Sequence, residues 1–425
     1  MNSKTKSDPV EFAALIGLDW GDRQHAVALW EPGATTPETR NVDHAPEPLR
    51  AWLAQLEARF QGRPIALALE TSKGPLVHLL MEIPWLTLFP IHPATSARIR
   101  KAFSPSGAKD DTPDALVLLA LLRHQRAKLR PFVSEDVSTR KLAGLTEIRR
   151  QAVDHRTQLS NELRSALKGY FPLALALVGE QLYSPLALDF LRRWPTLLDL
   201  QAARPASLKA FYHRHNVRRP EALEQRLALI RQAQPLTNDA AVIFVSVRTV
   251  ARLCETLRVV QKHIAGYEED IAEAFAAHPD AGLFRELPGA GKVLAPRLLA
   301  AFGTDRTRFA NATELLCYSG IAPVKEQSGK RVWIHWRWNA PWFVRQAFVE
   351  WAGQTILYCD WARAYYDQQK AKGKRHWAII RALAFKWLRI LWKCWTTNTP
   401  YKETTYLAAL TKRQSTLVVI QTKKV

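Results

Sequence analysis

Apolar residues fall in two rhythms along this chain. Near the start they come as short runs bounded by turn residues: 15–20 carries Asp19 near its end, Gly21-Asp22 follows, and 23–30 resumes. That spacing predicts a β-hairpin. A helical stretch over 50–60, a buried-strand pattern over 65–70 ending in Glu70, a helix over 74–81 and a strand over 86–91 come next. A basic helix through Arg98, Arg100 and Lys101 follows. After a Ser/Pro/Gly loop, the stretch Lys109-Asp110-Asp111-Thr112-Pro113-Asp114-Ala115 opens an apolar helix. Strands alternating with helices predict an α/β domain over residues 10–135.

Beyond that point the period becomes helical. Residues 140–170 form a basic helix with Leu159, Leu163 and Leu167 in register, and Phe171-Pro172 ends it. Over 173–245, Pro185, Pro195, Pro205, Pro220 and Pro235 punctuate short helical segments. Val250, Leu253, Leu257, Val260, Ile264, Tyr267, Ile271 and Phe275 then alternate by threes and fours, a heptad-like seam. Periodicity leaves open a pair within one chain or a seam between chains. Pairing with the 140–170 helix, as an antiparallel coiled-coil arm over 136–280, is the expectation. The last domain, 281–410, is expected to be mainly helical, with 411–425 as a tail. In it, Leu287-Pro288-Gly289-Ala290-Gly291 before an apolar helix reads either as a helix-hairpin-helix-like phosphate contact or as a plain helix-joining turn.

Composition narrows the partners. The 425 residues hold 60 Lys and Arg against 39 Asp and Glu, a net charge of +21, which points to a polyanion and first to nucleic acid. No apolar run of membrane-spanning length and no signal-peptide pattern occur, so a membrane partner is not expected. Cys254, Cys317, Cys359 and Cys394 are too dispersed for a zinc site or a disulfide framework, which suits a reducing cytoplasm. Gly291-Lys292-Val293 lacks the Ser or Thr of a Walker A loop.

Ten of the fifteen tryptophans fall between 333 and 395. On a helix, Trp377, Ile380, Ala384, Trp387, Leu391 and Trp395 share one apolar face, while Lys386, Arg389 and Lys393 gather elsewhere as a nucleic-acid face. Trp333 and Trp336, in an alternating stretch, are candidates to stack on bases. Ser328 lies beside Gly329 with Lys325, Lys330 and Arg331 close by. No local base activates it, so by its own context it is an ordinary loop serine.

Carboxylates at two strand ends and on a late helix are the sharpest chemical signal. Asp111 and Asp114, three residues apart, share a helical face, and clustered acids call for a cation such as Mg²⁺. Asp19, Glu70, Asp111 and Asp114 resemble the DEDD set of RuvC-like (RNase H-type) nuclease domains. Asp110 competes with Asp111 on proximity, but Asp111 has the three-residue spacing of the Lys-x-Asp-x-x-Asp-Ala motif.

Taken in order, Ile16-Gly17-Leu18-Asp19, Leu69-Glu70-Thr71, the acidic stretch, Leu287-Pro288-Gly289-Ala290-Gly291, Gly320-Ile321-Ala322-Pro323 and Gln327-Ser328-Gly329 resemble the IS110 family of DEDD transposases of bacterial insertion sequences. That family also includes Piv-type invertases. The resemblance implies a RuvC-like domain, a coiled-coil arm and a C-terminal transposase domain with a serine nucleophile. It further implies Mg²⁺, expected as two ions with Mn²⁺ able to substitute, held by Asp19, Glu70, Asp111 and Asp114, and Ser328 attacking a DNA phosphate. The partners it implies are target and donor DNA, a structured bridge RNA, and further copies of the chain as dimer and tetramer, in the nucleoid of a bacterial cytoplasm. Two other readings stand beside it: a metal-dependent nuclease using water, and a non-enzymatic nucleic-acid-binding protein.

Overall fold

The computed structural model describes residues 11–70, 74–103, 111–415 and 417, and of 101–103 and 111–113 only the backbone. Asp110, the termini and the loop before the acidic stretch lie outside the described residues. The chain divides after Ser134 into two compact units.

The first unit is a mixed five-stranded sheet. Its strands are β1 (Ala14–Asp19), β2 (Gln24–Trp30), β3 (Glu38–Asp43), β4 (Ile65–Leu69) and β5 (Leu86–Pro90), in the order β3-β2-β1-β4-β5. The first three pair antiparallel, while β4 runs parallel to both β1 and β5. Strand β4 is buried along its whole length, as a parallel strand covered on both faces must be. One face packs α1 (Pro46–Phe60) and α2 (Pro75–Leu80) on Ile16, Leu18, Leu67 and Leu69. The opposite face is paved with Ala26, Ala28, Ala66 and Ala68 and carries α4 (Asp111–Gln125). Small side chains let that helix approach closely. A Cβ on Gly17 of β1 would stand 2.1 Å from the Ala115 carbonyl oxygen and 2.5 Å from the Leu119 nitrogen. Helix α3 (Pro93–Phe103) lies between β5 and α4 in the chain. Edge strand β3 is polar and largely exposed, so no apolar alternation marks it in the sequence.

The second unit starts with the arm. Helix α5 (Val137–Tyr170) and α11 (Ala240–Ala276) bond across at Arg149–Glu268 and Arg156–Gln261, and Thr139 meets His278 just beyond the end of α11. Residue numbers rise on one helix as they fall on the other, so the expected pair is intrachain and antiparallel. Its seam buries Val250, Leu253, Leu257, Val260, Ile264 and Ile271. Between the two helices, α6 (Leu173–Val178), α7 (Pro185–Arg193), α8 (Leu197–Gln201), α9 (Pro205–Arg214) and α10 (Pro220–Gln232) build a small core against the arm's outer half. Pro185, Pro205 and Pro220 stand in the first turns of their helices, where no N–H is missed, so they start helices rather than break them.

The arm's other end, at Leu142 and Ile271, belongs to the C-terminal core. That core holds α12 (Ala281–Arg285), α13 (Gly291–Phe302), α14 (Ala312–Tyr318), α15 (Trp342–Tyr358), α16 (Asp360–Ala371), α17 (His376–Thr396) and α18 (Glu403–Lys412). The buried Trp351, Trp361 and Trp387 stack within 5 Å ring to ring, and each indole N–H finds an oxygen: Pro288, Tyr401 and Thr355 in turn. Trp377 departs from the expected apolar face of α17: it is 63% exposed, because the helix has only just begun there. The hairpin β6 (Val324–Ser328) and β7 (Arg331–His335) projects from this unit, mostly exposed along both strands.

Candidate active site

In the first unit the register places two acids side by side. Leu18 of β1 pairs with Leu69 of β4, so Asp19 and Glu70 follow at the same edge of two adjacent parallel strands. Each is half-buried. The position of Asp114 follows from the direction of α4. At its C-terminal end, Arg123 lies 4.2 Å over the Trp30 ring, and Arg126, one residue beyond the helix, lies 5.0 Å over Phe12. Trp30 pairs with Leu15, and Phe12 precedes β1, so both mark the strand's beginning. Helix α4 therefore runs antiparallel to β1, and its first turn, with Asp114 and the Asp111 backbone, comes to the edge where β1 ends at Asp19.

Helix α3 ties this edge together. Its Ser96 hydroxyl donates to the Glu70 carboxylate, and its Arg100 donates to Asp114 at 2.6 Å. Four residues apart, Ser96 and Arg100 share one helical face. Neither emerged from sequence reasoning. The i, i+4 spacing was visible, but the acids they meet come from other elements.

Below the edge, the turn after Asp19 is locked by a histidine. Gly21 donates its backbone N–H to His25 Nδ1 at 3.3 Å, and His25 Nε2 lies 2.9 Å from His44 Nδ1. Burial, then the neighbouring His44, pulls the His25 pKa down to about 4. The neutral ring accepts at Nδ1, so Nε2 is the donor to His44.

The donors at this edge are all hard oxygens, which suits Mg²⁺. Among the described residues, however, no group of three or more His, Cys, Asp or Glu is placed to hold an ion. The Asp111 carboxylate lies outside the described atoms, and the cation beside Asp114 is Arg100.

Ser328 is in the second unit, at the end of β6. Gly329 and Lys330 form a two-residue turn, and Gly329 takes a left-handed φ of 56° that suits glycine. Ser328 faces Arg331 directly across the turn, Glu326 faces Trp333, and Val324 faces His335. By strand alternation all six project on one side, while Gln327, Val332, Lys325 and Ile334 project on the other. Glu326 and His335 pair at 2.9 Å, and that hydrogen bond, helped by the Trp336 carbonyl, raises the His335 pKa. Ser328 has no local base among its neighbours in the chain. Pairing brings this couple to the same side, a relation invisible without the register.

The remaining candidates separate. Lys325, Lys330 and Arg331 are exposed. Of the α17 trio, Arg389 and Lys393 are exposed, but the Lys386 ammonium lies 4.9 Å over the Tyr365 ring, where burial and Arg389 lower its pKa. Trp333 is 72% exposed, whereas Trp336 is held between the guanidinium groups of Arg345 and Arg381. The glycine turn at 287–291 joins α12 to α13, and its Gly289 packs against Gln354 and Tyr358 of α15.

Two family models match the chain in order. A DEDD-type family model described as Transposase matches residues 16–172, and a second, described as Transposase IS116/IS110/IS902 family, matches 281–367. A mini-circle putative transposase for IS117 from Streptomyces coelicolor is 29% identical over 94% of this chain and 98% of its own length. The IS900 uncharacterized 42 kDa protein of Mycobacterium paratuberculosis is 26% identical over 92% of this chain and 98% of its own. The IS110 uncharacterized 43.6 kDa protein of Streptomyces coelicolor is 25% identical over 93% and 97%. With both family models matched in order and relatives aligned along nearly their whole lengths, the chain belongs to the IS110 family of insertion-element transposases.

Proposed function

We propose that this transposase is an RNA-guided DNA recombinase that cuts and rejoins strands through a phosphoserine. Asp19, Glu70, Asp111 and Asp114 are the carboxylates of a RuvC-like domain over 10–135 and would hold Mg²⁺. When bound, the ion supplies charge stabilisation at the phosphate and acidifies a coordinated hydroxyl. The observation that most supports the acid set is the antiparallel course of α4 on β1, which carries its first turn to the edge of Asp19 and Glu70. Seating an ion there requires Arg100 to leave Asp114.

In the C-terminal domain over 281–410, Ser328 Oγ attacks a DNA phosphorus. A serine–phosphorus ester forms, one strand P–O bond breaks, and the released DNA oxygen takes up a proton as a hydroxyl. The strand energy is kept in the ester, so a second DNA hydroxyl can attack it, restore the phosphodiester and return the proton to Ser328. Arg331, directly opposite Ser328, holds the phosphate, with Lys330 in the adjoining turn, while Lys325, on the hairpin's other side, contacts nucleic-acid backbone beyond it. Exposed Arg389 and Lys393 contact nucleic-acid backbone, with Lys386 contributing less. The net charge of +21 suits simultaneous binding of donor DNA, target DNA and a structured bridge RNA, with copies joining as dimer and tetramer through the arm over 136–280.

The test is adduct trapping on denaturing gels with Mg²⁺ present. Ser328→Ala is expected to bind DNA and form no adduct. Ser319→Ala is the control: Ser319 is buried, with its hydroxyl on the Leu316 carbonyl, and that variant keeps the adduct. An adduct surviving in Ser328→Ala removes the serine mechanism and leaves a water-using nuclease.

A further inference from the structure

The helices inserted between α5 and α11 have been given no role so far. They contain an open cleft of about 430 Å³, formed where the end of α7 meets the end of α9. Arg192 and Arg193 line it from α7, and Arg214 and His215 from α9 and its end, with Phe211 as a buried floor. The Phe211 ring packs 4.6 Å from His215 and 5.0 Å from Trp194, so the floor is fixed by the insertion's own core.

Charge in the cleft is unbalanced. Asp189 is the one acid in its lining, and Arg258 of α11 already binds it at 2.7 Å. The same carboxylate lies 3.5 Å from His215 Nε2 and 4.0 Å from Arg192. Arg193 and Arg214 have no carboxylate partner among the described residues, and both are exposed. Two guanidinium groups that line one cleft without a carboxylate of their own match the paired oxygens of a phosphodiester. The volume leaves room for the flanking sugars as well.

We infer that this cleft is a phosphate-binding anchor for nucleic-acid backbone, carried on the insertion at the arm's outer end. Arg193 and Arg214 take the phosphate oxygens, and Arg192 closes one side. Asp189 holds Arg258 and His215 in place. From the level of Leu142 to that of Leu167, 25 residues of α5 rise roughly 37 Å. The insertion's core and the C-terminal core are therefore spaced along the arm by roughly one turn of duplex. This inference rests on the chain binding nucleic acid, but not on Ser328 or on metal.

The experiment uses the full chain freed of co-purifying nucleic acid. Fluorescence anisotropy over a salt series is read with a labelled hairpin RNA and, separately, a labelled duplex DNA. The Arg193→Gln/Arg214→Gln double variant is compared with Lys262→Gln/Arg231→Gln, an equal charge change at exposed positions outside the cleft lining. The cleft variant is expected to lose tenfold or more in affinity, and its log–log salt slope to fall by roughly 0.7 to 0.9 units for the one phosphate no longer neutralised. The arm that loses slope identifies whether RNA or DNA supplies the phosphate. Equal losses in both variants mean a general charge effect, and no loss in either nucleic acid means an idle cleft; each outcome overturns the inference. Wild-type protein that binds neither probe overturns the nucleic-acid reading itself, which separates the two failures.

Discussion

Asp19 ends a strand buried at every earlier residue, whereas Ser328 ends a strand exposed along most of both faces. The acids are placed by a sheet register, a helix pressed onto glycine and alanine, and two side chains of α3. The serine is placed by a two-residue turn and a two-stranded ladder, which alone is marginal in water. The contrast suits their proposed chemistry. Carboxylates crowded around an ion need a scaffold that resists their mutual repulsion. A nucleophile that becomes bonded to DNA needs room for a strand to enter and leave. Rigidity and access are divided between two parts of one chain.

The strongest way to sharpen this contrast is to add one methyl group to each part. Gly17→Ala puts a Cβ into the α4 backbone, where no side-chain rotation gives relief. It should cost about 3 kcal/mol or more, near the upper end for overpacking. Gly329→Ala meets nothing within 4 Å and suffers only its left-handed φ, about 1 kcal/mol. Hydrogen exchange should show lost protection over 14–19 and 65–69 in the first variant and unchanged protection there in the second. Protection retained in Gly17→Ala means α4 is free to shift, and the acid edge is less fixed than its packing indicates.

The two regions were not equally legible in the sequence. The hairpin of β1 and β2, the buried β4 and both arm helices followed from apolar period and turn residues, since burial on one or both faces dictates that pattern. Asp19 and Glu70 stood out because an acid is conspicuous after an apolar run. Strand β3 left no mark, because an exposed edge carries no apolar alternation. The alternation around Trp333 marks β7, but β6 shows only a loop serine in the sequence, because that strand is too exposed to carry an apolar period. Arg100 and Ser96 were missed for another reason: their significance lies in acids that approach from elsewhere in the unit. Local signals disclose elements, whereas partners brought together by topology stay hidden.

Acidity should pull the two regions in opposite directions. His25 is buried neutral, with its pKa pulled from 6.5 to about 4, so the unfolded chain binds the extra proton in between. Its contribution is complete above pH 6.5 and is lost as pH falls toward 4, by up to roughly 3 kcal/mol. His335 shifts the other way: the bond to Glu326 raises its pKa, so that pair is intact below 6.5, while Glu326 stays ionised, and fades as pH rises through the elevated value. Exchange protection at 14–19 followed from pH 7 to 4.5 should fall in the wild type and stay flatter in His25→Asn. Equal slopes in the two proteins would remove His25 as the pin of the turn after Asp19.

The smallest expected change in stability tests which side of the hairpin DNA uses. Trp333 and Ile334 are adjacent in β7, 72% and 68% exposed, and project to opposite sides. Neither buries enough surface to matter for folding, so alanine at either position should shift unfolding by less than about 0.5 kcal/mol. Their effects on chemistry should differ. Trp333 shares its side with Ser328 and Arg331, and an exposed indole there is positioned to stack on a base next to the phosphate that Ser328 is proposed to attack. Stacking of that kind contributes roughly 1–3 kcal/mol, so Trp333→Ala should lower adduct yield at limiting DNA about tenfold or more. Trp333→Phe should recover much of it, because a ring remains. Ile334→Ala should leave the yield unchanged. Reversed results, with Ile334→Ala inactive and Trp333→Ala normal, would turn the hairpin over and separate Ser328 from the DNA it is proposed to cut.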